Sequence, residues 1–241
     1  MPKFFYKLLL LLLILALIFF FTKPSDNAPE STEEISTENS TESEPKPSYP
    51  TIVLDAGHGG MDPGKVGINQ VLEKDINLSI VMKLKKLLEE EGFTVHLTRD
   101  SDKLLAAPNS TSQKKDDMIA RVDIVKEVNP FFTVSIHQNS FPDPSVSGPQ
   151  VFYYKDSVES ATMAQVIQDV LNSQLKPAKN RVSQSNTNYY LLTKTPTPTV
   201  IVECGFLSNS IEADLLAQDD YQNRVAYAVF LGILSYYKAT T

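Results

Sequence analysis

Two histidines and two glutamates stand at points where an apolar run gives way to a turn, or where a helical pattern begins. His58 lies in Thr51-Ile52-Val53-Leu54-Asp55-Ala56-Gly57-His58-Gly59-Gly60, a short β-favouring run that enters a glycine-rich turn. Glycines 57, 59 and 60 remove Cβ bulk and permit unusual dihedrals, so the backbone can wrap closely round something bound there. His137 ends Phe131-Phe132-Thr133-Val134-Ser135-Ile136-His137 in the same manner. Glu203 comes near the end of the apolar run Pro198 to Phe206, where a carboxylate is costly unless paired or functional. Glu73 opens the helical pattern that follows the first turn. Two imidazoles, one carboxylate and a water make a catalytic zinc shell, and a second carboxylate that is not a ligand serves as general base. Plainer readings exist: His58 caps a turn, and Glu73 balances the positive end of a helix dipole. The four come from separate elements, so spacing alone does not prove that they meet. His96, between Val95 and Leu97, reads as an ordinary half-exposed strand residue.

The elements that must position these groups follow from periodicity. Between Leu72 and Leu88, Ile76, Ile80, Leu84 and Leu87 line one helical face, and Gly92 provides a stop. Phe93–Thr98 reads as a second strand, Asp116–Val125 as the start of a second helix and Phe131–His137 as a third strand. Gln150–Tyr154 is a fourth strand, 157–175 a helix, Tyr189–Leu192 a short fifth strand and Pro198–Phe206 the sixth. Helices over 211–217 and 221–237 close the chain. The alternation predicts an α/β fold: a single three-layer domain over 50–241, with a mixed, largely parallel sheet of about six strands and helices on both faces. Both histidines then stand at carboxyl ends of strands on one edge of the sheet, where open α/β sheets bind ligands.

Composition narrows the setting. A chain of 241 residues with 42% hydrophobic content can bury one sizeable core, and a net charge of −7 argues against nucleic acid as a partner. Lys3 and Lys7 precede an unbroken apolar run from Leu8 to Phe21 with no A-x-A-like site after it, which reads as an uncleaved signal-anchor over 1–22. The lysines keep the amino terminus in the cytoplasm and send the remainder outside, anchored to the cytoplasmic membrane, or secreted if the segment is cleaved. Residues 23–49 carry seven acidic residues against two lysines among Ser, Thr and Pro, the composition of a disordered acidic tether. The single cysteine, Cys204, excludes an intramolecular disulfide, and export without disulfides is ordinary in bacteria.

The quoted motifs resemble a family. Val53-Leu54-Asp55-Ala56-Gly57-His58-Gly59-Gly60 with Asp62-Pro63-Gly64, the helix-start glutamate, Ser135-Ile136-His137-Gln138-Asn139, and Val202-Glu203-Cys204-Gly205-Phe206-Leu207-Ser208-Asn209 look like the zinc-dependent N-acetylmuramoyl-L-alanine amidases of the type 3 family. The resemblance spans about residues 50–238. It implies a Zn2+ ion held by His58, Glu73 and His137, with Glu203 as the catalytic residue. The implied reaction is hydrolysis of the amide between N-acetylmuramic acid and L-alanine in peptidoglycan. Gly148–Tyr154 and Tyr189–Leu192, with the amino-terminal anchor, are most similar to the spore-cortex amidases, which strip stem peptides in the cortex. Division-associated relatives carry a blocking helix after the third strand; residues 139–149 are too short for one. An activating protein partner is left open. Two other activities fit the same residues: a zinc peptidase acting within stem peptides, and a peptidoglycan-binding module without catalysis, against which an intact Glu203 argues.

Overall fold

The computed structural model describes residues 49–241. The predicted signal-anchor and nearly all of the predicted tether lie outside the described residues, among which no helix is long and apolar enough to cross a membrane. Tyr49, the last residue assigned to the tether, packs its ring against Phe93 and Tyr237 and donates its hydroxyl to Glu91 at 2.9 Å.

Six strands form one sheet in the order β2-β1-β3-β6-β4-β5. They are β1 (Thr51–Ala56), β2 (Thr94–Leu97), β3 (Thr133–Asn139), β4 (Gln150–Tyr154), β5 (Gln184–Asn186) and β6 (Thr199–Phe206). The helices are α1 (Glu73–Glu91), α2 (Gln113–Val128), α3 (Val158–Leu175), α4 (Tyr190–Lys194), α5 (Ser210–Leu216) and α6 (Asp219–Thr240). β1, β2, β3 and β6 run parallel, while β4 pairs antiparallel with β6 and parallel with β5. The expected α/β architecture with a mixed, largely parallel sheet is therefore present.

Side chains alternate across the strands, and this divides the layers. Ile52, Leu54, Ala56, Val134, Ile136, Val200 and Val202 join the main core with apolar residues of α1, α3 and α6. The opposite face carries Asp55, Ser135, His137, Ile201 and Glu203, and is covered by α2 and α4: Asp55 meets Arg121 of α2, and Ile201 packs with Leu192 of α4. Because β2 and β3 flank β1 on opposite sides, the strand order reverses at β1. Right-handed crossovers then place α1 and α2 on opposite faces, and the carboxyl ends of β1 and β3 open at the switch point where such sheets bind ligands.

One element differs from the sequence expectation. Tyr189–Leu192 reads as a strand, yet Tyr190–Lys194 is a short helix, with Leu191 and Leu192 both buried. A short apolar run is ambiguous between strand and helix without a period to decide it. The fifth strand is instead Gln184–Asn186, a polar edge strand of three residues with no apolar alternation to betray it. Asn139 and Asn209 serve local backbone: Asn139 accepts from Ser140 N–H at 2.7 Å, and Asn209 caps α5 through Glu212 N–H at 3.1 Å.

Candidate active site

The turn after β1 is held in an uncommon conformation. His58 has φ 63°, followed by Gly59 at 140° and Gly60 at 56°. A left-handed histidine persists only where its surroundings over-determine it. Two buried guanidiniums do so, Arg99 and Arg121, each 1% exposed. Arg99 donates to the carbonyls of Ala56 at 2.8 Å, Gly57 at 3.0 Å and Lys74 at 2.7 Å. Arg121 donates to the carbonyls of Ala56 and His58, both at 2.7 Å. Arg121 is itself paired with Asp55 and, at 2.7 Å, with Asp117. Asp55 also accepts from the hydroxyls of Thr98 and Ser135. Burial alone would raise the Asp55 carboxyl, but Arg121, His137 and the two hydroxyls hold it at about 2.

The turn delivers His58 to the other predicted residues. His58 Nε2 lies 3.2 Å from Glu73 Oε1, and His137 Nδ1 lies 3.0 Å from the same oxygen. One ligand atom from each of the three falls within 4.8 Å of the others, a group that can hold a metal ion. Nitrogen and oxygen donors about 2.0–2.2 Å from a tetrahedral ion stand about 3.3–3.6 Å apart, close to the two nitrogen–oxygen separations of 3.2 and 3.0 Å. The backbone is cut back to make room. A Cβ on Gly57 would lie 2.2 Å from His137 Cε1 and Nε2, and one on Gly64 would lie 2.6 Å from Glu73 Oε2 and 2.7 Å from His58 Cδ2.

Hydrogen bonds around the group orient it. His58 Nδ1–H donates to Asp62 at 2.8 Å, leaving Nε2 directed at Glu73. A carboxylate behind an imidazole fixes its tautomer and raises its basicity. Burial disfavours the His58 cation, but Glu73 and Asp62 outweigh it and carry its pKa up to about 9. A metal ion held there would take the place of that proton. Glu73 accepts backbone N–H from Lys65 at 2.7 Å and Gln138 at 3.1 Å. Burial works against its charge, yet His137 and His58 hold its carboxyl far below the ordinary range. Position at the helix start and contact with both imidazoles coincide, so the dipole reading of Glu73 does not exclude the other.

Glu203 stands apart. It is buried, and its Oε2 has no hydrogen-bond partner. Burial pushes its carboxyl up to about 7, the imidazoles of His137 and His58 offsetting only part of this and Glu73 adding to it. A carboxyl poised near neutrality beside a group that can hold a metal suits proton transfer. A cleft of ≈ 320 Å³ opens over it, walled by Met118, Tyr189, Tyr190 and Ile201, with Lys114 at the rim.

The structure brings together all four residues singled out from the sequence, and leaves His96 exposed on β2. The site also contains Asp55, Asp62, Arg99 and Arg121, to which sequence motifs alone assign no role. Two carried a signal: Asp55 interrupts an apolar strand, and Arg121 falls among the buried positions of its helix beside Val122 and Val125.

A family model described as N-acetylmuramoyl-L-alanine amidase matches residues 52–235. The germination-specific N-acetylmuramoyl-L-alanine amidase of Bacillus subtilis (strain 168) is 37% identical over 190 residues, which cover 77% of this chain and 79% of that protein. The CwlD amidase from Clostridioides difficile, solved in complex with the GerS lipoprotein, superimposes with a TM-score of 0.77 at 38% identity, covering 79% of this chain and 100% of that one. The catalytic domain of CwlV, an N-acetylmuramoyl-L-alanine amidase from Bacillus (Paenibacillus) polymyxa var. colistinus, gives 0.70 at 30% identity, covering 79% and 99%.

Proposed function

Since the chain belongs to the N-acetylmuramoyl-L-alanine amidase family, we propose that His58, Glu73 and His137 hold a zinc ion and that Glu203 is the general base of its amide hydrolysis. The observation that carries this reading is the unpartnered, buried Glu203 oxygen beside a His-Glu-His group. Two imidazoles and a carboxylate suit zinc, which supplies Lewis acidity toward the scissile carbonyl and an attacking water.

The residues divide the work. Asp62 keeps the Nε2 lone pair of His58 directed inward, and Arg99 and Arg121 hold the turn that carries it. Glu203 takes a proton from water as its oxygen bonds to the lactyl carbonyl carbon. It returns that proton to the alanine nitrogen as the C–N bond breaks, so a carboxylate and an amine leave. A buried carboxyl with one oxygen free of partners is placed to accept that proton and to return it.

The likeness to a germination-specific amidase supports a role in removing stem peptides during spore cortex maturation. The CwlD complex with a lipoprotein supports a protein partner for this chain as well. The amino-terminal sequence supports an extracytoplasmic enzyme tethered to the membrane. The test is mass spectrometry of purified peptidoglycan digested with and without a chelator. Free lactyl groups together with new L-alanine amino termini are expected, and are expected to vanish with the chelator. Cleavage only between amino acids would establish a stem-peptide peptidase instead, and no cleavage a binding module.

A further inference from the structure

The scissile amide joins a sugar to a peptide, so a site that cuts it needs room on two sides. One side is the cleft beneath Tyr189 and Tyr190, on the sheet face covered by α2 and α4. A second cleft of ≈ 480 Å³ lies among Lys65, Val66, Ile68, Phe141, Pro142 and Leu207. It begins one hydrogen bond from the reacting centre, because Lys65 N–H donates to Glu73 Oε2 at 2.7 Å. Its walls are strapped together by backbone: Ile68 N–H to the Leu207 carbonyl at 3.0 Å, and Leu207 N–H to the Asn139 carbonyl at 2.8 Å. Ile68 and Phe141 remain 59% and 53% exposed, apolar surface that a bound chain would cover.

Resting on the amidase reading, we propose that the stem-peptide arm of the substrate occupies this second cleft, where Lys65 binds the free carboxylate of the second residue beyond the scissile bond.

Charge selects the arm. Lys114, at the rim of the first cleft, is paired with Asp62 at 2.8 Å. The exposed Lys65 ammonium has no acidic partner among the described residues. The stem peptide continues from L-alanine into D-glutamate linked through its γ-carboxyl, which leaves an α-carboxylate within about 7 Å of extended chain of the scissile nitrogen. A lysine side chain starting from a backbone amide bonded to Glu73 matches that reach. The glycan arm brings no anion once its lactyl group is amidated, and tyrosine rings suit the apolar faces of a sugar.

The test uses two synthetic muramoyl peptides that differ only in carrying this group as a free carboxylate or as a primary amide. Wild-type protein should prefer the carboxylate by about tenfold in kcat/KM, the lower end for a hydrogen bond to a charged group. Lys65→Ala should abolish the preference and Lys65→Glu should invert it, while all three keep the backbone contact to Glu73. Calorimetric binding of the same stem peptides, without sugar, to Glu203→Gln protein gives the same ratio with no turnover required. A preference that survives Lys65→Ala, or a wild type that does not discriminate, overturns the subsite and leaves the amidase reading standing. Lys65-dependent peptide binding without cleavage of muramoyl-L-alanine supports the subsite and overturns the amidase reading.

Discussion

His137 and Glu203 are register partners on the adjacent parallel strands β3 and β6. Their side chains leave the sheet on the same face, and their backbones are about 4.8 Å apart. The imidazole turns to Glu73 at 3.0 Å, while the carboxylate keeps an oxygen free. Two residues 66 positions apart in the sequence thus become the ligand wall and the base wall of one site.

Glu203→Gln keeps the shape and removes the proton acceptor, so turnover should fall by about a hundred- to ten-thousand-fold with metal content unchanged. The folded carboxyl is raised to about 7 from 4.5, so the metal-free wild type loses stability as pH rises from 4.5 through about 7. The variant lacks that loss and should be the more stable protein above pH 7. Metal analysis, turnover and melting across pH on one sample check this; near wild-type turnover would end the general-base assignment.

Replacing His58, Glu73 or His137 by alanine should remove metal and activity together. Equilibrium dialysis followed by elemental analysis measures the first, and release of L-alanine amino termini the second. Full zinc occupancy in His137→Ala would sink that ligand assignment.

Gly57→Ala isolates the space behind the His137 ring. A Cβ there meets His137 Cε1 and Nε2 at 2.2 Å, so the imidazole must turn away. We expect zinc affinity to drop about 10- to 100-fold, the scale seen when ligand orientation is lost, with an overpacking cost of about 1–3 kcal/mol. Unchanged affinity, measured by competition with a chromogenic chelator, would show that the ring is not confined by this glycine.

Asp55→Asn leaves the Arg121 guanidinium buried without its full counter-charge and should cost about 3–5 kcal/mol at neutral pH. Asp55 is held at about 2 in the fold against 3.8 ordinarily, so its contribution is complete above 3.8 and is lost as pH falls through about 2. The stability gap between wild type and variant should therefore narrow over that window. Urea titrations of the metal-free proteins at stepped pH measure the gap; a gap constant with pH would mean that Asp55 acts without its charge.

The sequence by itself determined the alternating strands and helices, the α/β class, the positions of His58, His137 and Glu203 near strand ends and that of Glu73 at a helix start. Those features depend on local periodicity and turn chemistry, which neighbouring residues suffice to express. Only the tertiary structure decided that these residues meet. The reversal of strand order at β1 opens one switch point between β1 and β3, and the pairing of β3 with β6 sets Glu203 beside His137. The roles of Arg99 and Arg121 were likewise hidden. A guanidinium holds another segment's carbonyls through space, and His58 and Arg121, 63 positions apart, are joined by a bond that no periodicity records. The helix at Tyr190–Lys194 is not legible in the sequence because a short run of apolar residues has no decisive period, and its packing on Phe152 and Ile201 decides the outcome.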